Sequence, residues 1–337
     1  MTDLDPIEPE AAVDLYLSQR RDEISEQTHQ SHRYRLEPFV EWCESEEIYN
    51  MNDLTGRDLH AFRVHRREED GLKPVTLQGQ LSTLRVFLKF CASIEAVPEG
   101  LHEKILLPSV SDDEEASDSL LEYNRAEAIL DYLTRYHYAS REHVILTLMW
   151  RTGLRTGSVR ALDLQDFNAE KRYLDVVHRP GSGTPLKNGS RGERPVAISG
   201  PMVELLEAYI DGPRHDVDDR YGRDPLITTT QGRPVPSTIQ NTVYRITRPC
   251  TYGVECPHDR DPDDCEAMES SKASRCPSSR SPHDVRSGAI TAHLLDDVPK
   301  VVVSDRMNVS QDVLDRHYDQ RTDLEQMEQR RKYISGR

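Results

Sequence analysis

The chain has 337 residues, 36% hydrophobic and 6% aromatic, with 59 acidic against 43 basic side chains and a formal net charge of −16. That length argues for two domains. No apolar run approaches the ~18 residues of a membrane-spanning helix. The start, MTDLDPIEPEAA, is acidic and holds no hydrophobic signal core, so a cytoplasmic protein without a membrane partner is expected.

Only 8 of the basic residues are lysine against 35 arginines. An acidic, Arg-over-Lys chain of low hydrophobicity reads as a halophile's protein, kept dispersed in concentrated salt by a hydrated acidic surface. The plainer reading is an ordinary acidic cytosolic protein. Net charge bears on solubility and association, not on fold, so a local basic surface for nucleic acid stays open. In molar salt counterion release contributes little, and shape and specific contacts would carry such a complex.

Residues 1–110 read as helical throughout. EPEAAVDLYLSQRRDE places Ala12, Leu15 and Tyr16 on one stripe; THQSHRYRLEPFVEWCESE has Thr28 as its cap, with Tyr34, Val40 and Trp42 towards the buried side. Pro38 should bend or break that helix. A third helix opens near Thr55 and stops at Gly71. In the fourth, Leu77, Leu81, Leu84 and Leu88 recur at helical spacing and form one apolar face. Four such helices make a small bundle. Its polar faces carry Arg57, Arg63, Arg66, Arg67, Lys73, Arg85 and Lys89, which are either solvated charges or a DNA-facing surface. Cys43 and Cys91 lie in helical stretches and read as core.

Residues 111–119 are acidic, Ser-rich and aperiodic, which is linker composition and puts a boundary near residue 115. From 120 to 337 the pattern is mixed. Helices are expected over 120–137, 142–153, 201–211 and 237–247, and from 283 onward, with two or three short antiparallel strands between about 171 and 198. The fold class is mainly α with a small antiparallel sheet.

Four short motifs recur in order. WRTGLRTGSVR puts Arg155 just after a tight turn; KNGSRGERPVAI puts Lys187 in a Gly-rich hairpin; SPHDVRSG puts His283 and Arg286 at i, i+3 on a helix that Ser281 would cap; and MNVSQDVLDRHYDQRT supplies Tyr318, 32 residues past Arg286. Each alone is a weak signal. In this order, behind a helical bundle, they resemble the tyrosine recombinase (phage integrase) family, and the composition suits its haloarchaeal members.

The resemblance implies a helical SAM-like core-binding domain and a catalytic domain that together clamp double-stranded DNA, and a homotetramer in the synapse. It further implies that Tyr318 attacks the scissile phosphate, leaving a 3′-phosphotyrosyl link. Arg155 and Arg286 would hold the non-bridging oxygens. Lys187 would protonate the departing 5′ oxygen, with His283 as a proton-shuttling or phosphate-binding partner. The C-terminal helix DLEQMEQRRKYIS would pack on a neighbouring subunit or on its own domain. No catalytic cofactor is required.

Two positions depart from the family pattern. Val309 stands nine residues before Tyr318, where the family has a His or Trp, and Ser158 stands where an acidic residue often supports the pocket. Asp163 or Asp166 could substitute for the latter, with Asp166 also read as a turn cap. The departures keep two rivals in view: a non-catalytic DNA-binding regulator on the same fold, and a type IB topoisomerase-like activity.

Cys250, Cys256, Cys265 and Cys276 lie in a Cys-rich insertion, 250–276, with His258 between them. Disulfides are not expected in a reducing cytoplasm, and the cluster suits a structural Zn²⁺ outside the chemistry, bracing the helix that starts at SPHDVR.

Overall fold

A computed structural model describes residues 4–109 and 119–318, together with positions 324, 327, 328 and 331. Most of the expected linker and the C-terminal helix DLEQMEQRRKYIS lie outside the described residues. The chain divides into two compact units, Met1–Ser117 and Asp118–Arg337.

The first unit holds four helices: α1 (Pro9–Arg20), α2 (Glu26–Ser45), α3 (Gly56–Glu68) and α4 (Pro74–Ser93). Helix α3 starts where expected, because Thr55 and Asp58 form a reciprocal capping box. The four leucines of α4 are all buried. They pack with an aromatic core in which Phe39 meets Phe62 edge-on at 5.5 Å and Phe87 at 6.2 Å. Cys43 and Cys91 belong to this core, and burial pushes both thiols up to about 12.

Three details differ from expectation. Helix α2 is capped by Ser25, whose Oγ accepts from Thr28 N–H at 3.2 Å, so Thr28 is inside the first turn. The helix runs unbroken through Pro38. Leu36, Phe39 and Trp42 anchor both halves in the core, and Tyr34, whose carbonyl would have bonded residue 38, faces solvent at 76% exposure. In α1 the buried stripe is Ala12, Val13, Tyr16 and Leu17, leaving Leu15 outside.

The second unit comprises α5 (Tyr123–Tyr136), α6 (Arg141–Thr152), α7 (Thr156–Ala161), α8 (Gly200–Asp211), α9 (Pro236–Ile246), α10 (Pro282–Leu295), α11 (Lys300–Met307) and α12 (Gln311–His317). Between α7 and α8 lies an antiparallel sheet of order β1-β2-β3, with β1 (Phe167–Asn168), β2 (Tyr173–Val176) and β3 (Arg194–Ala197), in the register Leu174↔Val196. Helix α6, VILTLMW at its centre, is buried on almost every side and packs against α5, α8, α9 and α10. A smaller cluster of Ile290, Leu294, Val303, Met307 and Leu314 joins α10, α11 and α12, with Val309 and the Tyr318 ring at its edge. Among the described residues no helix is long and apolar enough to cross a membrane.

Gly288 allows α10 to lie against the chain entering α5. A Cβ there would stand 2.0 Å from the Leu121 carbonyl oxygen and 2.9 Å from the Trp150 ring. Gly288→Ala should therefore cost roughly 3 kcal/mol by overpacking, read as a lower guanidinium midpoint for the second unit. His143 gives a second test. Burial lowers its pKa to about 4, so below the unfolded value of 6.5 the unfolded chain binds a proton that the fold refuses. Its contribution is intact above pH 6.5 and falls by roughly 3 kcal/mol as pH drops to about 4. A His143→Gln variant should lack that part of the pH slope in denaturant midpoints.

Candidate functional site

The five residues singled out by motif come from four separate elements. Arg155 is the N-cap residue of α7, two residues after the left-handed Gly153 that ends α6. Lys187 lies on the exposed part of the long 177–193 connection between β2 and β3, a larger excursion than a tight hairpin turn. His283 and Arg286 sit in the first turns of α10, where Ser281 and Asp284 form a capping box: Asp284 N–H donates to Ser281 Oγ at 3.1 Å and Ser281 N–H to Asp284 Oδ2 at 2.7 Å. Tyr318 follows α12 as its C-cap residue.

Charge interactions link these elements. Arg286 is 4% exposed; burial and the Arg155 charge bring its guanidinium down to about 9, while Tyr318 acts in the opposite sense. Arg155 is lowered by burial and raised by Tyr318. The His283 ring keeps an exposed edge, yet partial burial lowers its pKa, against Asp284 and with help from Arg286, Arg155 and Lys187. Burial and the neighbouring cations thus favour the neutral imidazole. The arrangement is a concentrated positive field around one phenol, suited to binding a phosphodiester and to stabilising added negative charge on it.

Arg286 is fixed by two carbonyls. Its Nη1 donates to Gly153 O and its Nη2 to Met307 O at 2.8 Å. Those bonds tie the turn before Arg155 and the end of α11 to α10. Arg194 is a site neighbour that the motifs did not single out. It is brought down to about 10 by burial and by Arg155 and Arg306, and it donates to Arg306 O and Gly192 O, each at 2.8 Å. Strand alternation held the clue, since Arg194 shares an inward face with buried Val196. Asn188, beside Lys187, donates from Nδ2 to Asn308 Oδ1 at 3.2 Å.

Val309 packs against the small apolar cluster and provides no side-chain donor. Asp163 and Asp166 do not support Arg155 directly; their carboxylates are occupied elsewhere. Asp163, 2% exposed, receives Arg223 at 2.7 Å, Arg233, and Arg179 at 3.4 Å. Asp166 takes Arg179 at 2.5 Å and closes a capping box with Asp163. Arg223 continues to Ser182 Oγ at 2.9 Å and Thr184 Oγ1 at 2.8 Å, and Arg160 reaches Gly183 O at 2.7 Å. The two aspartates therefore anchor the base of the connection that carries Lys187.

In the first unit, part of the expected basic face is already engaged. Arg66 bonds Gln80 and Asp70, Arg67 pairs with Glu68, and Arg85 donates to Ile105 O.

Cys250, Cys256, Cys265 and Cys276 line one small cavity with His258, Arg248 and Arg260. Among the described residues, no three His, Cys, Asp or Glu side chains are already gathered as a metal shell.

Residues 14–93 match the family described as phage integrase, N-terminal SAM-like domain. The chain is 27% identical over 231 residues to tyrosine recombinase XerC 2 of Ralstonia nicotianae, an alignment covering 66% of this chain and 62% of that protein. It is 38% identical to the N-terminal domain of a phage integrase/site-specific recombinase from Haloarcula marismortui, covering 31% of this chain and 99% of that one, with a TM-score of 0.30. The Tn1549 transposon integrase, solved with a circular-intermediate DNA, superposes over 95% of this chain and 99% of its own with a TM-score of 0.66 at 15% identity, a likeness of fold.

The anchoring role of Asp163 is testable. Asp163→Asn leaves buried Arg233 and Arg223 without their shared counter-charge and should cost about 3 kcal/mol. Asp166→Asn should cost less, because its partner Arg179 reaches solvent. Guanidinium midpoints of the two variants check both size and order.

Proposed function

The chain belongs to the tyrosine recombinase, or phage integrase, family, and on that premise we propose that it is a site-specific DNA recombinase working through a 3′-phosphotyrosyl intermediate. What supports this reading is that Arg155 and Arg286 interact electrostatically with Tyr318, and His283 with Arg155, Arg286 and Lys187.

In the proposed reaction the Tyr318 Oη attacks phosphorus. A bond from phosphorus to the tyrosyl oxygen forms as the bond to the 5′ oxygen breaks. Arg155 and Arg286 meet the charge that grows on the non-bridging oxygens. Arg286 keeps hydrogens to spare for this, since its two carbonyl bonds use only two of five donors. Lys187 gives its proton to the leaving 5′ oxygen, and neutral His283 is poised to accept or relay one. The ester energy is held in the tyrosyl bond, so a free 5′ hydroxyl of another strand reverses the step without ATP. Two strands exchanged at a time call for four active sites, hence a homotetramer on two duplexes.

The first unit would add DNA contacts through basic side chains such as Arg57, Lys73 and Lys89, which make no side-chain hydrogen bond or ion pair among the described residues. The acidic, Arg-rich composition supports a cytoplasm of high salt as the setting.

One observation favours a second reading. Val309, apolar and packed inward, removes a phosphate donor found in the family, as a non-catalytic DNA-binding regulator would tolerate. Covalent trapping separates the two. Protein in molar KCl is incubated with nicked suicide duplexes from sequence flanking its own gene and run on a denaturing gel. The expected result is a protein–DNA adduct, absent from Tyr318→Phe and lost for wild type at low KCl. A gel shift on the same DNA with no adduct would sink the recombinase reading; relaxation of any supercoiled plasmid without exchange would indicate a topoisomerase.

A further inference from the structure

The 35 residues between Ile246 and Pro282 form a closed excursion from the second unit. Its two ends meet at the base, where Arg280 N–H donates to Thr247 Oγ1 at 2.8 Å. Arg125 of α5 clasps the same base through Thr247 O and Ser278 O. Within the excursion the structure is three short 3₁₀ turns, Pro249–Tyr252, Glu266–Met268 and Ser270–Arg275. The apolar side chains it buries are those of Pro249, Ala267, Ala273 and Cys276, with Tyr252 partly buried against the unit's core. So few small groups offset little of the conformational entropy of ordering such a segment. Its ion pairs, Glu266–Arg275 and Glu269–Lys272, are exposed and add little.

The four cysteines come from separate turns of this excursion, yet all four line one cavity of about 10 Å³. That is room for a single ion, not for an organic cofactor. Arg248 lines the same cavity at 3% exposure. Among the described residues its guanidinium meets only backbone carbonyls, of Arg245 at 3.2 Å and of Ala267. Buried cations are ordinarily paired with an anion, and among the described residues Arg248 makes no ion pair, so the cavity is lined by a positive charge that an anionic site would complement.

We propose that Cys250, Cys256, Cys265 and Cys276 bind one Zn²⁺ as a structural tetrathiolate. Four S–H bonds break, four Zn–S bonds form and four protons pass to solvent. The product carries two net negative charges, which Arg248 and the neighbouring Arg260 oppose. The Cys250 thiol is turned towards Met268 Sδ at 3.9 Å, and among the described residues the thiols are not yet gathered as a shell, so binding the ion requires them to move inward. His258 stays outside the shell, its Nε2 paired with Ser278 Oγ at 2.9 Å. Cys276 lies six residues before Pro282, so the metal would brace the start of α10, which carries His283 and Arg286.

The test uses the full chain, purified under reducing conditions in molar KCl. Elemental analysis should find one equivalent of zinc, and replacement by Co²⁺ should give the intense visible bands of a tetrahedral thiolate site. Cys265→Ser should lose most of the zinc while His258→Ala retains it. Wild-type protein without zinc, whose four thiols react with a thiol reagent equally fast before and after Zn²⁺ is added, would overturn the proposal. So would disulfides found by mass spectrometry, or zinc lost from His258→Ala but kept by Cys265→Ser. None of these readouts depends on DNA cleavage.

Discussion

One buried guanidinium organises the second unit's site. Arg286 is nearly inaccessible and donates to the carbonyls of Gly153 and Met307. Gly153 is two residues ahead of Arg155, and Met307 is eleven ahead of Tyr318. A single side chain on α10 thus holds the two chain segments that lead to Arg155 and Tyr318. Burying a cation costs several kcal/mol unless its donors are satisfied. Here helix-end carbonyls, which lack intrahelical partners and carry partial negative charge, satisfy them.

Around that clasp the supporting charges are arranged by sign. The aspartates nearest in sequence to Arg155 are paired with Arg179, Arg223 and Arg233. Asp219 belongs to the same network: burial opposes its ionisation, but Arg233 and the N–H groups of Tyr221 and Arg223 hold its carboxyl below the usual range. With these acids committed there, they do not offset the Arg155 and Arg286 charges that act on Tyr318, in a chain whose overall charge is −16. Net charge and local potential point in opposite directions, and it is the local one that a phosphate would meet.

What could be read from the chain alone follows the range of the interactions. The leucine face of α4, the Thr55 and Ser281 caps and the order of the motifs are local, so periodicity and spacing reveal them. Leu15 was misassigned because it sits beside the true core position Tyr16, and Tyr34 because it lies two residues before buried Leu36; a single turn of periodicity does not decide between such positions. Pro38 was expected to interrupt α2, but packing on both sides outweighs one lost hydrogen bond. The partners of Asp163 lie 16, 60 and 70 residues away, and no local pattern announces them. The gathering of four cysteines in one cavity is likewise a tertiary fact, since their uneven gaps fit no standard ligand spacing.

Arg286 also determines how this protein must be dissected. Its guanidinium is at once part of the proposed site and part of the frame, so shortening it removes the proposed phosphate ligand and unties two backbone segments together. An alanine scan would rank position 286 as the most important residue without showing what it is important for. The exposed members are different: Lys187 and His283 touch little of the core, and a loss of rate on altering them can be assigned to chemistry. Genetic evidence about mechanism will come from the rim of this site, not from its centre.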